Sequence, residues 1–212
     1  MARRGWLLVL AASVALGLLS VAFNVTTTAE LSGEADTLLA VRSTVTKLVN
    51  AGAVWGGLPV LSGWLVRRRV PAAAAGMVSC LLALVVHYGA GRLLGQFEPT
   101  VWADNQFWIV LAVVVGGPLG LAGATARRRV DRQGLLARLV VPAGAVLEPF
   151  IDGTFTMPAV MPWPDRVSSI VSGVVLLLAG TAGGAAVLVM HRRRQLAHQP
   201  HKQRCAESAQ LG

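Results

Sequence analysis

The chain has 212 residues, 54% of them hydrophobic and only 14% charged, against roughly 25% charged in an ordinary soluble domain, which is too little charge for a soluble coat. A mean hydropathy of +0.61 excludes intrinsic disorder, and a cysteine count of 2 excludes a disulfide-stapled scaffold. The net charge of +9 would raise nucleic acid as a partner if the basic residues were gathered on one soluble face.

Apolar runs long enough to cross roughly 30 Å of hydrocarbon need about 20 residues. Six are found, and the chain is predicted to be an all-α polytopic membrane helix bundle. The first covers residues 6–23. Arg3 and Arg4 ahead of it, with the small residues Ser20 and Ala22 near its end, also fit a secretory signal cleaved after Ala22. The second covers 44–66 and is stopped by Arg67, Arg68 and Arg69; the third covers 70–94. The fourth, 105–126, ends at Arg127, Arg128 and Arg129, and the fifth, 134–151, is the weakest, with Arg138 snorkelling inward and Glu148 toward the other interface. The sixth, 167–190, ends at Arg192, Arg193 and Arg194. Residues 1–194 form one transmembrane domain, and 195–212 read as a disordered cytoplasmic tail without an apolar face.

Cytoplasmic flanks carry Lys and Arg in excess. With both termini inside, the inner flanks hold all basic residues except Arg42, Lys47, Arg92 and Arg166, while only Asp131 and Glu207 of the acidic residues lie inside. All six spans obey this one orientation. The positive charge is therefore a topology signal for an inner (cytoplasmic) membrane protein, and nucleic acid drops out as a partner in favour of the lipid bilayer.

The polar exceptions gather in the outer half. Arg42, Thr46 and Asn50 follow one another at helical spacing beside Lys47, a stripe that reads either as the wetted face of an interfacial helix or as a ligand-facing stripe. The third span carries His87 about 25 Å from the inner boundary at 1.5 Å per residue, with Tyr88 and Arg92 beyond it. His and Tyr there serve as interfacial anchors or as a site. Proline-rich 152–166, with Trp163 and Asp165, is either a lid or a joining loop anchored by Trp163. If the second, third and fifth spans meet, Asn50, His87, Arg92 and Glu148 converge with Trp163 above them, and Arg92 pairs with Glu148. Small residues four apart, including Ala11 and Ala15 and Gly180 and Gly184, suit close helix packing or a partner face. No catalytic motif, metal site or cofactor loop is found; Cys80 and Cys205 fall on opposite sides of a redox barrier, so no disulfide is expected.

The stretch Leu48-Val49-Asn50-Ala51-Gly52-Ala53-Val54-Trp55, the triplet Arg67-Arg68-Arg69, and Gly116-Gly117-Pro118-Leu119-Gly120-Leu121-Ala122-Gly123 resemble a family of small actinobacterial membrane proteins of unknown function, over about Val45 to Arg129. Size and span number are also similar to the substrate-capture subunits of energy-coupling-factor vitamin transporters. Ala11 and Ala15 match the small residues with which those subunits meet their partner. That likeness is at the level of fold. The expectation is a non-enzymatic component that binds or transports a small-molecule ligand through an outward-facing polar pocket between spans two, three, five and six. The competing expectation is an accessory or scaffold protein that docks a membrane partner subunit on small-residue faces.

Overall fold

A computed structural model describes residues 2–25 and 27–210, with side chains for 3–25, 27–30 and 32–195. Beyond Gln195 side chains lie outside the described set, and with them most of the tail for which disorder is expected. The described residues form helices α1 (Ala2–Phe23), α2 (Thr28–Leu31), α3 (Asp36–Val49), α4 (Gly52–Val66), α5 (Arg69–Leu93), α6 (Val101–Asp104), α7 (Gln106–Arg128), α8 (Arg132–Ile151) and α9 (Trp163–Gln210). Six helical segments are long and apolar enough to cross a membrane; α3 and α4 together make one of them, Asp36–Val66.

Helices α4, α5 and α7 form the centre. Helix α1 packs on α5 and α4, α8 on α7 and α4, and α9 on α8 and α3. Small residues set these distances, because helices in lipid gain little from apolar burial and associate through close van der Waals contact. A methyl group added at Gly76 would lie 2.1 Å from the Gly116 carbonyl oxygen, one at Gly120 2.2 Å from that of Ala72, and one at Gly63 1.8 Å from that of Gly120. The second and third spans therefore meet the fourth backbone to backbone. Helix α1 uses the same device on another face: Val9, Ser13, Gly17, Ser20 and Val21 are buried, whereas Ala11 and Ala15 are exposed. A methyl at Gly17 would meet the Ala83 carbonyl oxygen at 2.6 Å.

The arginine clusters lie at one end of the bundle. Arg138 sits inside α8 but donates from Nε to the Ala126 carbonyl at 2.9 Å and from a terminal nitrogen to that of Arg129 at 2.8 Å. It thereby satisfies carbonyls that the C-terminus of α7 leaves free. Asp131 caps α8 by accepting from the Gly134 N–H at 3.0 Å. At the far end the short α2 is closed by a capping box, with Thr27 and Glu30 bonding reciprocally, and Glu30 is paired with Arg42 Nε at 2.6 Å.

Candidate functional site

One uninterrupted helix over 44–66 is expected, yet the chain breaks at Asn50 and Ala51. The break falls within the segment Asp36–Val66, which is long and apolar enough to cross a membrane, where free backbone groups need partners from the protein. On the α3 side, the Asn50 N–H and its side-chain amide both donate to the Thr46 carbonyl, at 2.9 and 3.0 Å, and Ser20 Oγ donates to Asn50 Oδ1. On the α4 side, the Gly52 and Ala53 N–H groups donate to the two oxygens of Glu148, at 2.6 and 2.8 Å. The Ala51 N–H donates to the Leu48 carbonyl at 3.3 Å and the Val54 N–H to that of Ala51 at 3.0 Å, and Trp55, 3.1 Å from the same carbonyl, begins the regular helical bonding. All four donors that a helix start leaves over are thus accounted for. A carboxylate also sits favourably at the positive end of the helix dipole.

Beneath this break lies a cavity of about 700 Å³ enclosed by α4, α5, α7 and α8. Most of its wall is apolar, from Pro59, Leu84, Leu111, Leu119 and Val141. Its polar groups include Asn50, Cys80, His87, Tyr88 and Glu148, with Asp152 at the end away from the arginines. Along α8 it runs from Val140 to Ile151, about 16 Å of helix at about 1.5 Å per residue. Trp108, Val115, Leu147 and Ile151 line the cavity and are also exposed on the outside of the bundle. The cavity therefore opens sideways between α7 and α8.

His87 is a buried polar residue of this wall, 8% exposed. Its ring stands edge-on to Trp55 and Tyr88, with centroids 6.2 and 4.9 Å away, and 5.2 Å from that of Phe97. Phe97 reaches this position because Gly91 has no side chain to block it; a methyl there would fall 2.2 Å from the Phe97 ring. His87 Nδ1 has no hydrogen-bond partner. Among the described residues, no three His, Cys, Asp or Glu side chains gather closely enough to hold a metal ion.

Of the residues singled out in the sequence, the structure brings Asn50, His87 and Glu148 to one cavity wall. Arg92 is elsewhere: it is exposed and donates to the Pro99 carbonyl at 2.9 Å, and it makes no ion pair with Glu148, whose oxygens face the start of α4. Trp163 also lies outside the cavity, its Nε1 donating to Asp36 at 3.0 Å and joining the start of α9 to the start of α3. The fourth span, α7, takes the place in the wall that was expected for the sixth. The stripe of Arg42, Thr46 and Asn50 is neither wetted nor ligand-facing along its length. Arg42 donates to the carbonyls of Phe23 and Val25, and Thr46 to that of Phe23 at 2.5 Å, so the stripe fastens α3 to the end of α1. Lys47 donates to Ser168 and Ser169, both at 2.7 Å, and to the Asp165 carbonyl at 3.2 Å. Gly180 and Gly184 face Pro142 of α8, within the chain. Trp55, Trp108 and Asp152 were missed as site residues. Nothing in the spacing marks Trp108 or Asp152, and Trp55 stood only within the stretch quoted for the family resemblance.

The chain belongs to DUF6518, a family of unknown function, which it matches over residues 2–199. The match thus extends well beyond the stretch from Val45 to Arg129. No curated protein and no solved structure matches the chain.

Proposed function

We propose that this chain is a multi-pass protein of the cytoplasmic membrane, arginine-rich ends inside, which binds a small molecule in the cavity between α4, α5, α7 and α8 and serves as a binding or transport component. The observation that carries this reading is the cavity itself: about 700 Å³, within the range of ligand pockets, mostly apolar and with a few convergent polar groups. Under the orientation given by the arginines it opens near the outer surface. The broken helix supports it too, since irregular backbone at membrane depth is tolerated where it lines a cavity. The pocket is less polar than the sequence suggests, so the ligand is itself largely apolar. The role is one of binding, with Asn50, His87 and Glu148 as the polar groups that orient the ligand.

Gly144 provides the test. It lines the cavity, and a methyl group built on it meets nothing within 4 Å, so Gly144→Leu grows into the void. Wild-type and variant protein, purified in a mild detergent and extracted for mass spectrometry, should differ by a small molecule present only in the wild type. Equal small-molecule content in two folded samples would overturn the proposal.

A second reading, an accessory subunit that meets a partner through α1, is favoured by the exposure of Ala11 and Ala15, which the chain's own packing leaves uncovered. Ala11→Leu with Ala15→Leu would then lose a co-purifying membrane protein while leaving the extracted small molecules unchanged. Unchanged co-purification would refute it.

A further inference from the structure

The cavity wall has a chemical bias that narrows the ligand. Its ionisable carboxylates, Glu148 and Asp152, are not matched by any lysine or arginine among the described lining residues. The nearby cations are engaged elsewhere, Lys47 on α9 and Arg92 on the Pro99 carbonyl. When both carboxylates are ionised, the positive end of α4 offsets only about half a charge, which leaves the site with about −1.5. The two N–H groups on Glu148 occupy one acceptor position on each oxygen, and a carboxylate has about four such positions. His87 lines this same space, more than nine-tenths buried, and its Nδ1 is without a partner. An orphaned buried nitrogen calls for a polar partner, and a ligand group in the cavity would be one. Trp55, Tyr88 and Trp108 add aromatic faces, which attract cations, most strongly where water is excluded. The side opening between α7 and α8, rimmed by exposed Trp108 and Ile151, gives an apolar body a way in from the acyl chains of a surrounding bilayer, while Asp152 marks the end nearer the outer surface.

We infer that the cavity takes a lipophilic cation, entering sideways from the bilayer between α7 and α8, with its positive group between Glu148, Asp152 and the aromatic rings and its apolar body along α7 and α8. This rests on the cavity being a binding site. An anion of the same shape meets carboxylates with no basic residue beside them, and like-charge contact of that kind is strongly disfavoured.

The test compares tetraphenylphosphonium with tetraphenylborate, which share shape and apolarity and differ in the sign of the charge. Full-length protein in discs of zwitterionic lipid is dialysed to equilibrium against each ion, with empty discs subtracted. Saturable phosphonium binding, about tenfold or more tighter than that of the borate, is expected. It should be abolished by Gly144→Leu and weakened by Glu148→Gln and by Asp152→Asn. Trp108→Leu should weaken it about two- to fivefold. Asp152 is exposed at a helix end, so Asp152→Asn and the wild-type comparison stand even where Glu148→Gln fails to fold. Borate binding as tight as that of the phosphonium, and lost in Gly144→Leu, would overturn the cation assignment while leaving the cavity a binding site. Absence of saturable binding by either ion would overturn the cation assignment as well. The extraction experiment on Gly144→Leu judges the cavity independently, because it requires no particular charge.

Discussion

Replacing Glu148 by Gln tests whether the carboxylate holds the broken helix. Both of its oxygens accept from the start of α4, from Gly52 at 2.6 Å and Ala53 at 2.8 Å. A glutamine retains one acceptor oxygen, but its amide nitrogen confronts the second N–H as donor to donor. The loss is one hydrogen bond to a charged group, about 1.5–3 kcal/mol, together with the favourable charge at the helix start, about 0.3–1 kcal/mol. The expected destabilisation is thus about 2–4 kcal/mol. It should appear as a lower midpoint in denaturation of the reconstituted protein. More locally, amide exchange at Gly52 and Ala53 should accelerate by about 30- to 700-fold, since 1.4 kcal/mol is about tenfold. Exchange at residues in the middle of α5 reports only global opening and separates the two effects. Glu148→Asp should be intermediate, because the shorter side chain reaches one N–H more readily than both. Unaltered exchange at Gly52 and Ala53 in Glu148→Gln would refute the reasoning outright.

Close helix contact gives a second prediction: Gly76→Ala, whose methyl would sit 2.1 Å from the Gly116 carbonyl oxygen, should cost about 3 kcal/mol or more. Gly89→Ala, on the same helix with nothing within 4 Å, should be neutral or slightly stabilising; denaturation midpoints of the two, if alike, would show that backbone contact does not set the spacing. Glu30 makes the α2 segment sensitive to acid. The backbone hydrogen bond from Thr27 and then the Arg42 side chain hold its carboxyl below the usual value of 4.5, so its stabilisation is complete above about pH 4.5 and is lost as pH falls through the depressed value. Amide exchange over Thr27–Glu30 should rise in that acid window, and Glu30→Gln should remove the pH dependence; a pH-independent wild type would contradict the capping box. Orientation can be read with single cysteines in a Cys80→Ser, Cys205→Ser background. A cysteine at Ala159 should react with an impermeant maleimide in intact cells and one at Arg68 only after permeabilisation, and the reverse pattern would invert the topology.

The ends of the spans were legible because arginine triplets are local and expensive to bury, so Arg67-Arg68-Arg69 and Arg127-Arg128-Arg129 mark helix ends without knowledge of any neighbour. The break at Asn50 was not legible. Its stabilising partner Glu148 lies 96 residues away in sequence, and the run from Thr44 to Val66 carries no Pro until Pro59. An Asn followed by Ala-Gly is the only local hint, since Asn and Gly are common where helices stop. The phase of the small-residue seam in α1 was equally hidden. Ala11 and Ala15 have the same spacing as Ser13 and Gly17, and only contact with Ala83 selects the second pair. The fourth span was overlooked in favour of the sixth for a related reason: Gly116 and Gly120 bring α7 against α5, and spacing within one helix does not name its partner.

Intramembrane polar residues are expensive and so read as site candidates, yet most of those here are satisfied by another helix's backbone. Arg138 bonds to α7 carbonyls, Thr46 to the end of α1, Glu148 to the start of α4, and Lys47 to a carbonyl and two hydroxyls of α9. Such contacts bind the bundle together by meeting one charged group with backbone, so that no second charge has to be removed from water. Polarity alone therefore does not separate structural residues from functional ones in this chain. What separates them is capacity left over once the internal partners are counted. By that measure His87, with an unpartnered nitrogen in an aromatic surround, and Glu148, with acceptor positions still open, stand out among the described residues that line the void. Lys47 and Arg138, equally conspicuous in the sequence, are spent on the fold.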